Sequence, residues 1–154
     1  MTRAPIVASE APLRISRSNY PEPFASRMRG RHKRSLGDLF GLTNFGVNLT
    51  TLEPGAISAL QHEHSKQDEF IYVLDGDLVV VSGTDEWTMS AGWCCGFAAG
   101  KGSHHLENRS SRPATYLEVG DRTAGDRVSY PFDDLVAVLD GRVWRFTRKN
   151  GESY

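Results

Sequence analysis

Between residues 45 and 119 the chain is divided into short extended runs, each bounded by Gly, Pro, Asp or Ser. Phe45–Leu52 alternates apolar with small or polar residues and ends at the turn Glu53-Pro54-Gly55. Residues 56–64 form a second extended stretch. Residues 70–74 are a compact β-rich run, Asp75-Gly76 behind them favours a tight hairpin, and residues 78–81 return from it. Shorter runs follow at 87–89, 93–97, around His104, and at 115–119, separated by breaks at 82–85, 91–92 and 109–113. Roughly seven or eight short strands at such spacing argue for an all-β sandwich or barrel and against βαβ units.

Bulk properties narrow this further. A chain of 154 residues is one domain by size and large enough to bury its own core. With 18 Lys plus Arg against 19 Asp plus Glu, the net charge of −1 gives no general attraction to nucleic acid or to an anionic membrane. No apolar run reaches bilayer-spanning length, and the N-terminal residues lack the apolar core of a secretory signal, so a soluble cytoplasmic protein is expected. The two cysteines, Cys94 and Cys95, are adjacent; bridging neighbours needs a strained ring, so two reduced thiols are expected, with a supplementary sulfur ligand as the minor alternative.

Residues 1–36 read as an irregular N-terminal arm, with prolines at 5, 12, 21 and 23. It carries a basic run at 27–34, five positive charges in eight residues, which reads as a solvated loop or as an arm packing on a partner subunit. Without interleaved aromatics it makes a poor nucleic-acid face. Residues 37–122 are assigned to the barrel. Residues 123–154 are assigned to a C-terminal extension packing on it, with a helical turn or loop near 132–139 and a closing β segment near 143–147.

The chemistry concentrates between Gly55 and Gly76. His62 and His64 are two residues apart, so on an extended backbone both rings leave the same side, and Glu69 follows five residues later. On the next strand Glu69 shares a face with Ile71 and Val73, and therefore looks into an apolar barrel, where an unpaired carboxylate would be costly. A third imidazole comes from His104 or His105. His104 is in phase with Leu106 and Asn108, His105 with Glu107, and the apolar Leu106 favours His104. Three imidazole nitrogens and a carboxylate are the donors of a divalent transition metal.

These residues resemble the two motifs of the cupin superfamily. Gly55, His62, His64, Glu69 and Gly76 match the first motif, with six residues after Gly55 where five are usual. Gly92, Gly100, His104 and Asn108 match the second, and its His-x3-Asn spacing selects His104 over His105. Ala98 stands where a proline is usual, and the loop from Gly100 to His104 is one residue longer than usual. The 15-residue gap between motifs is as short as in small, mostly uncharacterised single-domain bacterial cupins. The resemblance implies a double-stranded β-helix, or jelly-roll barrel of the RmlC-like kind, holding one divalent ion (Fe, Mn, Ni, Cu, Co or Zn) on His62, His64, Glu69 and His104. It also implies a homodimer, which exposed strand edges favour.

Fold does not decide chemistry. The leading expectation is a metal-dependent enzyme of oxygenase or isomerase type acting on a small organic molecule, since the ligand set leaves open coordination positions. The alternative is a non-catalytic binding or sensing module in which the metal is structural or orients the ligand. Tyr116 and Glu118, on one strand face, are candidate polar groups of a pocket. A nucleic-acid contact through the basic run ranks last, since no helix-turn-helix pattern precedes the barrel.

Overall fold

A computed structural model describes residues 3–15 and 18–154. Twelve strands alternate along it: β1 (Arg31–Ser35), β2 (Phe45–Leu52), β3 (Glu63–His64), β4 (Glu69–Asp75), β5 (Asp77–Ser82), β6 (Asp85–Ser90), β7 (Cys94–Phe97), β8 (His104–Glu107), β9 (Ala114–Asp121), β10 (Arg127–Ser129), β11 (Val136–Asp140) and β12 (Val143–Thr147). They form three antiparallel sheets, ordered β1-β2-β9-β4-β7, β12-β11-β10-β3 and β6-β5-β8. Together they make the jelly-roll barrel. One helical turn, α1 (Leu36–Leu39), and two 3-10 turns at Ala8–Glu10 and Ala25–Met28 complete the described residues.

Strand alternation fills the barrel. On β4, Ile71 and Val73 are buried while Phe70, Tyr72 and Leu74 are exposed. The inward set meets Leu52, Leu78, Val80, Met89, Leu106 and Tyr116 in one core between the five-stranded and three-stranded sheets. A second core, with Leu60, Val128, Leu135 and Ala137, lies on the four-stranded sheet, where Phe24 and Met28 of the arm join it. Burial of such side chains removes about 1.5–3 kcal/mol of unfavourable hydration each. The β4–β5 turn requires its glycine twice over. Gly76 has φ +79°, and an added Cβ would stand 2.8 Å from Cα and Cβ of Ala114 and from the Pro113 carbonyl oxygen.

Three expectations need correction. Residues 31–35, inside the segment read as irregular, form β1, paired along its whole length with β2 from Arg31↔Leu52 to Ser35↔Asn48. Its inward residues, Arg31, Lys33 and Ser35, face a polar cavity, so the apolar alternation that marks a strand is missing. The arm packs on its own barrel: Ala11, Phe24 and Met28 are buried, and the Arg14 amide donates to the Lys33 carbonyl at 2.8 Å. Residues 56–64 are interrupted by bends over 58–61; only Glu63–His64 is strand, with single bridges at Ile57↔Glu107 and His62↔His104. The region 132–139 begins as the expected loop over 132–135, but its second half is strand β11, while the closing strand β12 lies where expected.

Candidate metal centre

The candidate donor side chains arrive from three sheets. β4 carries Glu69 in the five-stranded sheet, β8 carries His104 in the three-stranded sheet, and β3 carries His64 in the four-stranded sheet. His62 sits just before β3, and a two-way backbone bridge ties it to His104: the His62 amide donates to the His104 carbonyl at 3.1 Å, and the His104 amide donates to the His62 carbonyl at 2.8 Å. The loop before β8 fixes β3 as well, through the Gly100 amide on the His64 carbonyl at 2.8 Å.

Glu69 is the centre of the cluster. Its Oε2 lies 2.8 Å from His104 Nε2, 3.3 Å from His62 Nε2 and 3.7 Å from His64 Nε2. His62, Glu69 and His104 offer ligand atoms within 4.8 Å of one another, a group able to hold a divalent transition-metal ion. His64 stands beside this group, outside its tightest set. His105 points the other way and bonds Glu107 at 2.8 Å, so strand phase separates the two neighbouring histidines as Leu106 and Glu107 suggest.

The rings are oriented from behind. His62 Nδ1 lies 2.8 Å from the Leu60 carbonyl, which can only accept, so Nδ1 carries a proton and Nε2 is the atom turned toward Glu69 and available to a metal. His64 Nδ1 lies 2.5 Å from Asp126 Oδ2, with the same result. Asp126 is fully buried and its other oxygen accepts from the Ser65 hydroxyl at 2.9 Å and the Lys66 amide at 2.7 Å, which makes a buried carboxylate tolerable. His104 stacks on Phe97 with centroids 3.6 Å apart and planes 3° from parallel, and its buried Nδ1 has no hydrogen-bond partner among the described residues.

Electrostatics follow from this packing. Burial opposes the charged form of Glu69, but the hydrogen bonds of His104 and His62 outweigh it and hold the carboxyl well below its usual range. Burial likewise opposes protonation of His62, yet Glu69 raises its pKa; for His104 burial wins and the neutral ring is favoured. An ionised carboxylate ringed by imidazole Nε2 atoms, which give up their protons when a cation binds, fits a metal, so the donor set agrees with the metal expected from sequence. No cysteine joins the group, although Cys95 is partly buried; both thiols are free.

The cluster opens into a cavity of about 950 Å³. Glu118 lines it with Lys33 and Asn48, whose side-chain nitrogens donate to Glu118 Oε1 at 2.7 and 3.2 Å. Tyr116 lies fully buried on the same strand face, and burial pushes its phenol well above the ordinary value. Arg31 and Lys33 lie in the basic run read as a solvated loop or partner-facing arm, and their place in the cavity wall was not foreseen; nothing local marked Asp126.

The cupin domain family model matches residues 48–120. The structure of a sugar phosphate isomerase of the cupin superfamily from Silicibacter pomeroyi shares 41% identity with a TM-score of 0.90, over 98% of this chain and 96% of that one. A protein provisionally named a sugar phosphate isomerase from Acidithiobacillus ferrooxidans shares 26% identity with a TM-score of 0.73, over 88% and 94%. A polyketide cyclase from Streptomyces resistomycificus, at 17% identity and a TM-score of 0.63 over 77% and 79%, shares the fold alone. A comparison with curated proteins gives no match. Motifs, barrel and relatives agree, and the chain belongs to the cupin superfamily.

Proposed function

We propose that this protein is a metal-dependent isomerase acting on a phosphorylated sugar, with His62, His64, Glu69 and His104 as the metal ligands. The observation that carries this is the convergence of three imidazole Nε2 atoms on Glu69 Oε2 at the wall of a cavity of about 950 Å³, room for a small organic substrate. The likeness to a sugar phosphate isomerase at 41% identity selects the substrate class. A bound divalent ion supplies Lewis acidity toward a substrate carbonyl or hydroxyl.

The chain's own groups supply proton handling. Glu118 uses Oε1 for Lys33 and Asn48, which leaves Oε2 able to take a proton from a substrate carbon or hydroxyl. Lys33 at 2.7 Å holds that carboxylate in place. Tyr20 and Tyr130 also line the cavity; burial raises both phenols, so they stay protonated and serve as donors. Aldose–ketose interconversion needs a proton moved between adjacent carbons, and a fixed carboxylate facing a polarising centre meets that need.

Protein loaded with each candidate metal, incubated with a panel of aldose and ketose phosphates in deuterated water, tests this. Interconversion with deuterium entering the substrate, lost in His64→Ala and in Glu118→Gln, is expected. Substrate that raises the melting temperature and is never converted under any metal would replace the enzyme with a binding module.

We also propose that two copies pair through the outer face of the five-stranded sheet. Phe45, Phe70, Tyr72 and Leu74 lie exposed there, and a second copy would cover them. No helix among the described residues is long and apolar enough to cross a membrane.

A further inference from the structure

The same cavity is unusual in the cations that line it. Arg14, Arg31, Lys33, Arg122 and Arg142 all reach its wall. Its carboxylates outside the metal cluster already have partners. Asp38 accepts from Arg122 at 2.5 Å, Glu118 accepts from Lys33 and Asn48, and Asp121 accepts from the amides of Asp68 and Thr123 at 2.9 and 2.7 Å. Arg14 bonds only the neutral side chain of Asn19, and it forms no ion pair among the described residues. Arg142, in the turn between β11 and β12, forms none there either and is exposed at the rim.

Arg14 is nevertheless held in the wall. Its amide donates to the Lys33 carbonyl, which lays this part of the arm along β1 and sets Arg14 near the inward Arg31. Arg31 is buried and bonds the Ser58 carbonyl at 2.5 Å, so it cannot swing into solvent. Burial and then the neighbouring charge of Arg31 lower the pKa of Arg14, which the charges of Glu118 and Asp38 offset only in part, so an anion between the two arginines would offset the remainder.

From this arrangement we infer a phosphate subsite, formed by the guanidinium groups of Arg14 and Arg31 with Arg142 at the entrance, in the cavity that holds the metal cluster. It rests on the sugar-phosphate reading above and locates the charged end of that substrate. Paired guanidinium forks suit the several oxygens and double charge of a phosphate monoester better than the single charge of a carboxylate. A substrate held by its phosphate at the arm presents its sugar carbons to Glu118 and to the histidine cluster, which face the same space.

The test is calorimetric titration of inorganic phosphate into the full chain, metal-loaded and metal-stripped. Saturable binding is expected in both forms. Affinity falls about tenfold or more in Arg14→Gln, which loses a charge-assisted contact. It also falls, by about threefold or more, in Arg14→Lys, which keeps the charge and loses the fork. Arg145→Gln, exposed on β12 and paired with Asp140, binds phosphate as the parent does. The Arg14→Lys arm stands should Arg14→Gln fold poorly.

Acetate binding as tightly as phosphate, or phosphate binding unaltered in both Arg14 variants, would overturn the subsite. So would phosphate binding that disappears with the metal alone. The two readings separate cleanly. Sugar-phosphate turnover with KM unchanged in the Arg14 variants removes the subsite and leaves the isomerase. Phosphate binding that depends on Arg14, with no sugar phosphate converted, keeps the subsite and removes the isomerase.

Discussion

Asp126→Asn tests whether His64 is a metal ligand without touching a donor atom. In the parent, Asp126 Oδ1 accepts from Ser65 Oγ and the Lys66 amide, while Oδ2 receives the His64 Nδ1 proton at 2.5 Å. The amide has nearly the same shape but only one acceptor oxygen. Turning that oxygen toward His64 would set the amide nitrogen against the Lys66 N–H, two donors face to face in a fully buried place. The favoured orientation therefore keeps oxygen on Ser65 and Lys66 and presents a donor to His64. The imidazole answers by accepting at Nδ1 and carrying its proton on Nε2, which removes the lone pair that faces Glu69. Loss of such a supporting carboxylate lowers metal affinity about 10–100-fold. At about 1.4 kcal/mol per tenfold, this is about 1.4–2.8 kcal/mol. Competition with a chelating dye measures it for each metal that binds the parent, and melting of the metal-free variant checks that the barrel survives. Affinity within about twofold of the parent, in a folded variant, would refute both the tautomer argument and the role of His64.

Other expectations follow from the same structure. Gly76→Ala adds left-handed strain of about 1–2 kcal/mol and overpacking of about 1–3 kcal/mol against Ala114 and Pro113, whereas Gly83→Ala, with open space at its Cβ position, carries the strain alone; urea midpoints should separate them by the second amount. The folded Glu69 carboxyl lies well below its unfolded value of 4.5, so its contribution is present above about pH 4.5 and is lost as pH falls through the folded pKa. The melting difference between metal-free parent and Glu69→Gln should therefore shrink on acidification, and a constant difference would contradict the assignment. Burial pushes the Cys95 thiol up to about 11, so in a Cys94→Ser background it should resist alkylation near neutral pH until the protein is unfolded. Tyr72→Glu places a charge on the exposed face of β4 and should sediment as a monomer where the parent sediments as a dimer; an unchanged sedimentation coefficient would move the interface elsewhere.

The barrel was legible where one face of a strand meets an apolar core. Phe45–Leu52 is read with its true limits, and Ile71 and Val73 turn inward as alternation requires. His62, Glu69 and His104 were legible because their spacing is set by strand phase and by the turn at Gly76. Legibility failed where the inside is polar or where contacts are remote. β1 hides in a basic run because its buried side faces a charged cavity. The stretch 56–64 reads as strand, yet its backbone is held mostly at single points, such as the Ser58 amide on the Leu106 carbonyl. Asp126 supports His64 across 62 residues of chain, and no local pattern announces a contact of that span. Asn108 is legible as a motif position, but only the structure shows its work. It is fully buried, donates to the carbonyls of Leu52 and Arg112, and so closes the turn that leads from β8 into β9.

Under the proposed ligand set each sheet contributes a donor, and this has a thermodynamic consequence. A ligand that binds only when three separately hydrogen-bonded sheets are in register stabilises their mutual docking, and its binding energy appears as cooperativity between them. Without metal, the four-stranded sheet, which carries only two residues of the histidine segment, can open as its own unit at less than the global unfolding free energy. With metal held on His64 as proposed, opening that sheet must first break a coordination bond. Amide exchange along β10–β12 is therefore where occupancy of the site will be read most sensitively, at residues that make no contact with the ion.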